Sequence, residues 1–207
     1  MTPNRRPIKS RSNEIIRGLA SRLATCGITP NQVSTASVAF AAIAAAALLY
    51  SHTWPAMLIA ILGIQLRLLC NVVDGLIAVE GGKKSLLGAL YNEFPDRIAD
   101  SLLLVASGYA AGIPWLGWLS ALLAALTAYV RVFGGALGLE QRFLGPMAKQ
   151  QRMALLSAAC LLVIVETALQ RPYYAMGIAL AVIAAGSALT CVTRTRAIAR
   201  DLAAASS

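Results

Sequence analysis

Apolar positions fill six long runs, at about Val33–Tyr50, Trp54–Asp74, Leu86–Ala111, Trp115–Leu137, Met153–Ala168 and Tyr174–Val192. Each is close to the ~20 residues a helix needs to cross ~30 Å of hydrocarbon. None alternates polar and apolar residues at period two, as a barrel strand would. The breaks between runs carry turn chemistry: Ser51-His52-Thr53, Gly81-Gly82, Gly112-Ile113-Pro114, Gly145-Pro146 and Arg171-Pro172. Upstream, Ile15, Ile16, Leu19, Ala20 and Leu23 recur at helical spacing among Arg11, Arg17 and Arg22. That pattern predicts a short amphipathic helix in the membrane interface. It is not a secretory signal, because the apolar run begins too late and no cleavage pattern follows. Thr29-Pro30-Asn31 reads as a helix start, with Thr29 as N-cap and Pro30 first in the helix. The predicted fold is an all-α polytopic membrane protein: six transmembrane helices plus an N-terminal interfacial amphipathic helix. Its parts are an N-terminal segment (1–28), a six-helix membrane domain (29–193) and a basic tail (194–207).

Composition agrees. The 207 residues are 58% hydrophobic and 13% charged, about half the ~25% charge of a soluble domain. Disorder is excluded, since disordered chains are poor in apolar residues. The net charge of +9 does not call for nucleic acid, whose binding requires no such apolar excess. Position explains the charge. Apart from Arg67, Arg97 and Arg131 inside spans, and Arg171, every Lys and Arg falls on one side of the six runs. The positive-inside rule places that side, with both termini, in the cytoplasm, and the chain in the inner (cytoplasmic) membrane. Cys26, Cys70, Cys160 and Cys191 are widely spaced and His52 is the sole histidine. Small buried apolar roles suit the cysteines better than a zinc site or a disulfide framework.

Five of the nine acidic residues lie between positions 74 and 100: Asp74, Glu80, Glu93, Asp96 and Asp100. Ionisable groups at membrane depth are costly unless paired or hydrated. Arg67 and Arg97 offer one explanation, neutralising carboxylates and joining helices. Helical spacing offers a second. Arg67, Asn71, Asp74 and Ala78 share one face of the second run, and Gly88, Asn92, Asp96 and Asp100 a drifting face of the third. Oxygen donors without His or Cys suit Mg²⁺ or Mn²⁺. Gly75, Ala78 and Gly88 permit either close helix approach or room for a ligand. Pro95 beside these residues predicts a kink.

Across these two runs the chain reads Asn71-Val-Val-Asp74-Gly75-Leu-Ile-Ala78-Val79, then eight residues, then Gly88-Ala-Leu-Tyr-Asn92-Glu-Phe-Pro-Asp96. This resembles the D-x2-D-G-x2-A-R-x8-G-x3-D-x3-D pattern of the CDP-alcohol phosphotransferases, without a gap. Asp74, Gly75, Ala78, Gly88 and Asp96 match; Asn71 and Asn92 stand where the family has Asp, and Val79 where it has Arg. The Ile28-Thr29-Pro30-Asn31-Gln32-Val33-Ser34 opening and the six-span layout are also similar. A second register, with Asp96 and Asp100 as the final pair, needs a four-residue insertion after Gly88; the gapless one is preferred.

The resemblance implies transfer of a phosphatidyl or related group from a CDP-linked lipid donor, such as CDP-diacylglycerol, to a small alcohol, with release of CMP. It implies Mg²⁺ or Mn²⁺ as cofactor, and Asn71, Asp74, Asn92 and Asp96 as the metal shell. Asp96 would be the catalytic base. Gly75, Ala78 and Gly88 would admit the cytidine nucleotide. With Val79 in place of arginine, Lys83 or Lys84 would meet its phosphates, although both also fit ordinary positive-inside charge. Arg131, Lys149 and Arg152 look like the basic pocket for a phosphate-bearing acceptor. Glu93, Asp100 and Glu80 are candidates to supply the charge missing at Asn71 and Asn92. Partners are then the donor, the acceptor and membrane lipids, with no nucleic acid, and a homodimer is compatible. Two other readings stand beside this one. The Asn substitutions fit a non-catalytic lipid-nucleotide-binding relative. The intramembrane acids fit a small carboxylate-relay transporter, although no repeated halves are evident. Glycerol phosphate, an inositol phosphate and serine are all open as acceptors, and Arg131 leans toward a phosphate.

Overall fold

A computed structural model describes residues 13–50, 53–80 and 88–205. Its described residues form seven helices: α1 (Glu14–Thr25), α2 (Pro30–Tyr50), α3 (Trp54–Glu80), α4 (Gly88–Ala110), α5 (Pro114–Ala136), α6 (Lys149–Ala168) and α7 (Ala175–Ala205). Lys83 and Lys84 lie outside the described residues.

Local chemistry sets the helix starts. The Asn13 side chain accepts from the Ile15 N–H at 2.9 Å, capping α1. Thr29 and Gln32 form a reciprocal box. The Thr29 N–H donates to Gln32 Oε1 at 2.9 Å and the Gln32 N–H to Thr29 Oγ1 at 3.3 Å, with Pro30 needing no donor partner. Glu166, near the end of α6, accepts from the N–H groups of Tyr174 and Ala175, so one helix caps the next.

Three boundaries differ from the apolar runs. Helix α3 continues past Asp74 to Glu80, α6 starts at Lys149, and α7 runs unbroken to Ala205. Hydropathy locates the segment that suits lipid, whereas backbone hydrogen bonding carries a helix on into polar surroundings. Pro95 sits inside α4 without ending it. Cys160 is buried, but Cys26 is exposed beyond the end of α1, contrary to the buried role expected of it.

Six helices close into a ring. Around it, α2 packs on α4, α4 on α5, α5 on α7, α7 on α6, α6 on α3, and α3 back on α2, while α1 lies outside against α3. Across the ring α4 reaches α7. Small residues allow tight approach: a Cβ on Gly108 of α4 would lie 2.7 Å from the Gly117 Cα of α5. Backbone cannot yield that distance cheaply. Gly108→Val is therefore expected to destabilise the protein by about 1–3 kcal/mol, the usual cost of overpacking, read as a lowered Tm in detergent.

Helices α2, α3, α5, α6 and α7 are long and apolar enough to cross a membrane. At 23 residues α4 has the length, but Glu93, Asp96, Arg97 and Asp100 crowd its first half, so it fails on composition. Exposed aromatics mark both ends of the ring: Tyr91 and Phe94 of α4 with Tyr129 and Phe133 of α5 at one, and at the other Tyr50 ending α2, Trp54 beginning α3, Trp115 beginning α5 and Tyr174 preceding α7. Such residues favour the membrane–water boundary. With its lipid-suited helices, this is an integral membrane protein.

Candidate active site

The buried charged residues, Arg67, Asp74, Asp96, Asp100, Arg152 and Arg194, lie toward the end opposite Tyr50, Trp54, Trp115 and Tyr174. Among the described residues α4 packs closely against neither α3 nor α6. Long polar side chains span the gap instead, in two layers.

The outer layer joins Asp74 of α3, Asp96 of α4 and Lys149 of α6. Asp74 is 5% exposed and Asp96 6%. Lys149 Nζ donates to Asp96 Oδ2 at 2.6 Å, and Lys149 and Asp96 both lie within electrostatic range of Asp74. Ser34 of α2 donates to Asp74 Oδ2 at 2.5 Å. Arg97 Nη2 stands 3.6 Å from Asp96 Oδ2.

The inner layer sits about one to two turns deeper along each helix. Arg67 of α3 and Arg152 of α6 are 0% and 1% exposed. Arg67 Nη2 donates to Asp100 Oδ1 at 2.6 Å, and Arg152 Nη2 to Asp100 Oδ2 at 2.7 Å. Arg67 also reaches upward, donating to the Asp96 carbonyl at 3.3 Å and lying 3.6 Å from Asp96 Oδ1.

A third group flanks the site. Arg131 of α5 donates to Glu93 Oε1 at 2.5 Å and to Gln141 Oε1 at 2.7 Å, and its guanidinium lies 5.0 Å from the Phe143 ring centre. It lines a narrow, solvent-open crevice with Arg142, Arg194, Glu140 and Asp201. Arg142 pairs with Asp201 at 3.3 Å. The buried Arg194 donates to the carbonyls of Leu144 and Thr127.

Comparison with known proteins assigns the fold's lineage. No family model matches the chain. Archaetidylinositol phosphate synthase from Aeropyrum pernix is 35% identical over 178 residues, covering 77% of this chain and 89% of that protein. The chain belongs to the CDP-alcohol phosphatidyltransferase family. It therefore belongs among the enzymes of phospholipid synthesis. The fold is shared with Mycobacterium tuberculosis phosphatidylinositol phosphate synthase. Against that enzyme with CDP-DAG bound, the TM-score is 0.72 at 19% identity, covering 90% of this chain and 94% of the other. Against its complex with manganese and citrate, the TM-score is 0.72 at 18% identity, covering 88% of each.

Seen as a family member, the chain brings some expected residues together and separates others. Asp74, Asp96 and Lys149 converge. Asn71 is half-buried and donates to the Arg67 carbonyl at 3.0 Å; Asn92 is exposed one turn before Asp96. Gly75 and Ala78 are half-buried on α3. A Cβ on Gly88 would meet nothing within 4 Å, so that glycine borders open space rather than a helix contact. Arg152 is buried on Asp100 and away from the Arg131 cleft. Ser34 and Arg194 were not singled out from the sequence. Ser34 had a signal, a polar residue in an apolar helix start. Arg194 had none, as it merges with the basic residues that follow the last apolar run.

Proposed function

We propose that the protein transfers a phosphatidyl group from a CDP-linked lipid, with CDP-diacylglycerol the first to test, to a phosphorylated polyol, and releases CMP. The observation that carries this reading is the meeting of Asp74 and Asp96, from the two motif helices, in one buried site. The reading places six membrane crossings, with α4 as the sixth, its charged half facing the ring interior and α1 lying in the interface. The basic ends of the helices support a site and both termini on the cytoplasmic side.

A divalent cation suits the residues. Asp96 Oδ1 is buried without a hydrogen-bond partner, and the available donors are all oxygens, which Mg²⁺ and Mn²⁺ favour. Among the described residues no three His, Cys, Asp or Glu side chains converge in ligating range. The charged ligands are then Asp74 and Asp96, with the amide oxygens of Asn71 and Asn92 completing the shell. The bound ion would neutralise the donor pyrophosphate and the departing CMP phosphate.

The chain's own groups carry the remaining steps. The open space at Gly88, with Gly75 and Ala78, admits the nucleotide. Lys83 stays a candidate for its phosphates. Asp96 takes the proton of the attacking acceptor hydroxyl. The hydroxyl oxygen bonds the phosphatidyl phosphorus as the bond from that phosphorus to the CMP oxygen breaks. Lys149 holds the Asp96 carboxylate in place through its 2.6 Å contact. Asp100 is kept out of the metal shell, since guanidinium groups take both its oxygens, and Glu93 serves Arg131.

The arginine-lined cleft supports an anionic acceptor. Inositol phosphate is the first to test, because the Aeropyrum relative is named for archaetidylinositol phosphate. The decisive experiment is CMP release by purified protein from CDP-diacylglycerol with Mn²⁺ and a panel of acceptors. Turnover with any acceptor supports the reading. A protein that binds donor but turns over none is the non-catalytic relative instead. Arg131→Gln is expected to raise KM for a phosphorylated acceptor about tenfold or more, the loss of one charge-assisted contact, with donor KM unchanged. Equal rises in both would remove Arg131 from the acceptor site.

A further inference from the structure

We propose that Asp100, with the two arginines it holds, is a positioning device for the transfer reaction. It lies outside the family pattern in the gapless register and rests on the site reading above. Three observations support it. First, the contact spans a gap: α4 does not pack closely on α3 or α6, yet Asp100 accepts from Arg67 of α3 and Arg152 of α6 at 2.6 and 2.7 Å. Second, each member is tied to the layer above. Arg67 donates to the Asp96 carbonyl, and its own carbonyl accepts from Asn71, one turn before Asp74. Arg152 lies one turn from Lys149, the residue that holds the Asp96 carboxylate, and donates to the Met147 carbonyl just before α6. Third, the group is buried and carries two cations against one anion, with Arg67 Nε and Nη1 and Arg152 Nε lacking partners.

That third point argues against simple glue. Buried ion groups contribute little net stability, and well-packed apolar side chains often replace them at no loss. What the triad supplies is geometry. It sets the spacing of three helices one turn below the reacting groups, and displacement of a catalytic group by ~1 Å can cost ~10²-fold in rate. Asp100 and its arginines touch no reacting atom; they act through Asp96, Asp74 and Lys149.

The test uses the full chain in nanodiscs, with CMP release as the assay and a melting curve beside it. The triple variant R67M/D100L/R152M removes all three charges together, and Arg67→Lys keeps the charge but cannot reach Asp100 and the Asp96 carbonyl at once. The expected result is a triple variant that stays folded, with donor KM within about threefold of wild type and kcat lowered roughly 100-fold. Arg67→Lys should show a smaller kcat loss, about tenfold, without a change in Tm. Wild-type kcat in a folded triple variant would overturn the proposal. Should the triple variant not fold, wild-type kcat in Arg67→Lys overturns it equally. Should unaltered protein release no CMP from any donor, the proposed function fails first, which separates the two failures.

Discussion

Asp96→Asn is expected to abolish CMP release, by about 10³-fold or more, while leaving the fold intact. The substitution keeps the shape of the side chain and an oxygen for Lys149, so the ammonium can still donate to the amide oxygen where it now donates to the carboxylate at 2.6 Å. It removes two things the amide cannot imitate, the negative charge and the capacity to accept a proton from the acceptor hydroxyl. Loss of a positioned base costs about 10²–10⁴-fold. Loss of one of two charged metal ligands adds to that. The measurement is kcat for CMP release at saturating Mn²⁺, with the melting temperature as control. Because Lys149, Arg67 and Arg97 all approach this carboxylate, Asp96→Asn leaves excess positive charge, and a modest fall in Tm accompanies the loss. A variant that retains a tenth of wild-type turnover would move the base elsewhere, with Glu93 the next residue to test.

The second large effect is on the metal. Asp74→Asn should weaken Mn²⁺ binding by more than 100-fold, measured as free Mn²⁺ by electron paramagnetic resonance on protein in nanodiscs. Few negative charges are available: Asn71 and Asn92 contribute amide dipoles, so Asp74 and Asp96 carry the electrostatic attraction for a hard cation. Removing half of it costs more than removing a supporting contact. Ser34→Ala supplies the comparison. It deletes the hydroxyl that donates to Asp74 at 2.5 Å and should weaken binding about tenfold, the lower end for a group that orients a ligand. In the opposite direction, Asn71→Asp should tighten Mn²⁺ binding. Equal affinity in Asp74→Asn and unaltered protein would place the ion elsewhere.

The membrane helices were legible because lipid imposes a length and a composition on any helix that crosses it, and both are written along the chain. Five runs reappear as helices fit to cross. The sixth, α4, is a helix whose charged half satisfies no lipid criterion, which is the same fact that marks the site. The capping box at Thr29 was half visible: Thr29 and Pro30 were read as a helix start, but the return contact from Gln32 needed the backbone conformation. Helix ends at Glu80, Lys149 and Ala205 were not legible, since a helix leaving the membrane need not be apolar.

Spacing within one helix likewise determined that Asp74 shares a face with Arg67, and Asp96 with Asp100, because 3.6 residues make a turn. It could not determine which carboxylate meets which cation, because those partners lie 29 to 53 residues apart and come from different helices. Only the ring order, with α4 held away from α3 and α6, brings Lys149 to Asp96 and closes Arg67 and Arg152 around Asp100. The same packing sets Arg152 apart from Arg131, two residues grouped by charge alone in the sequence, and joins Arg194 to the cleft. Residue type and local period suffice for the family, the membrane class and most of the candidate groups, with Ser34 and Arg194 the exceptions. The division of labour among those groups was decided by the tertiary structure, because it depends on distances between helices that no local pattern encodes.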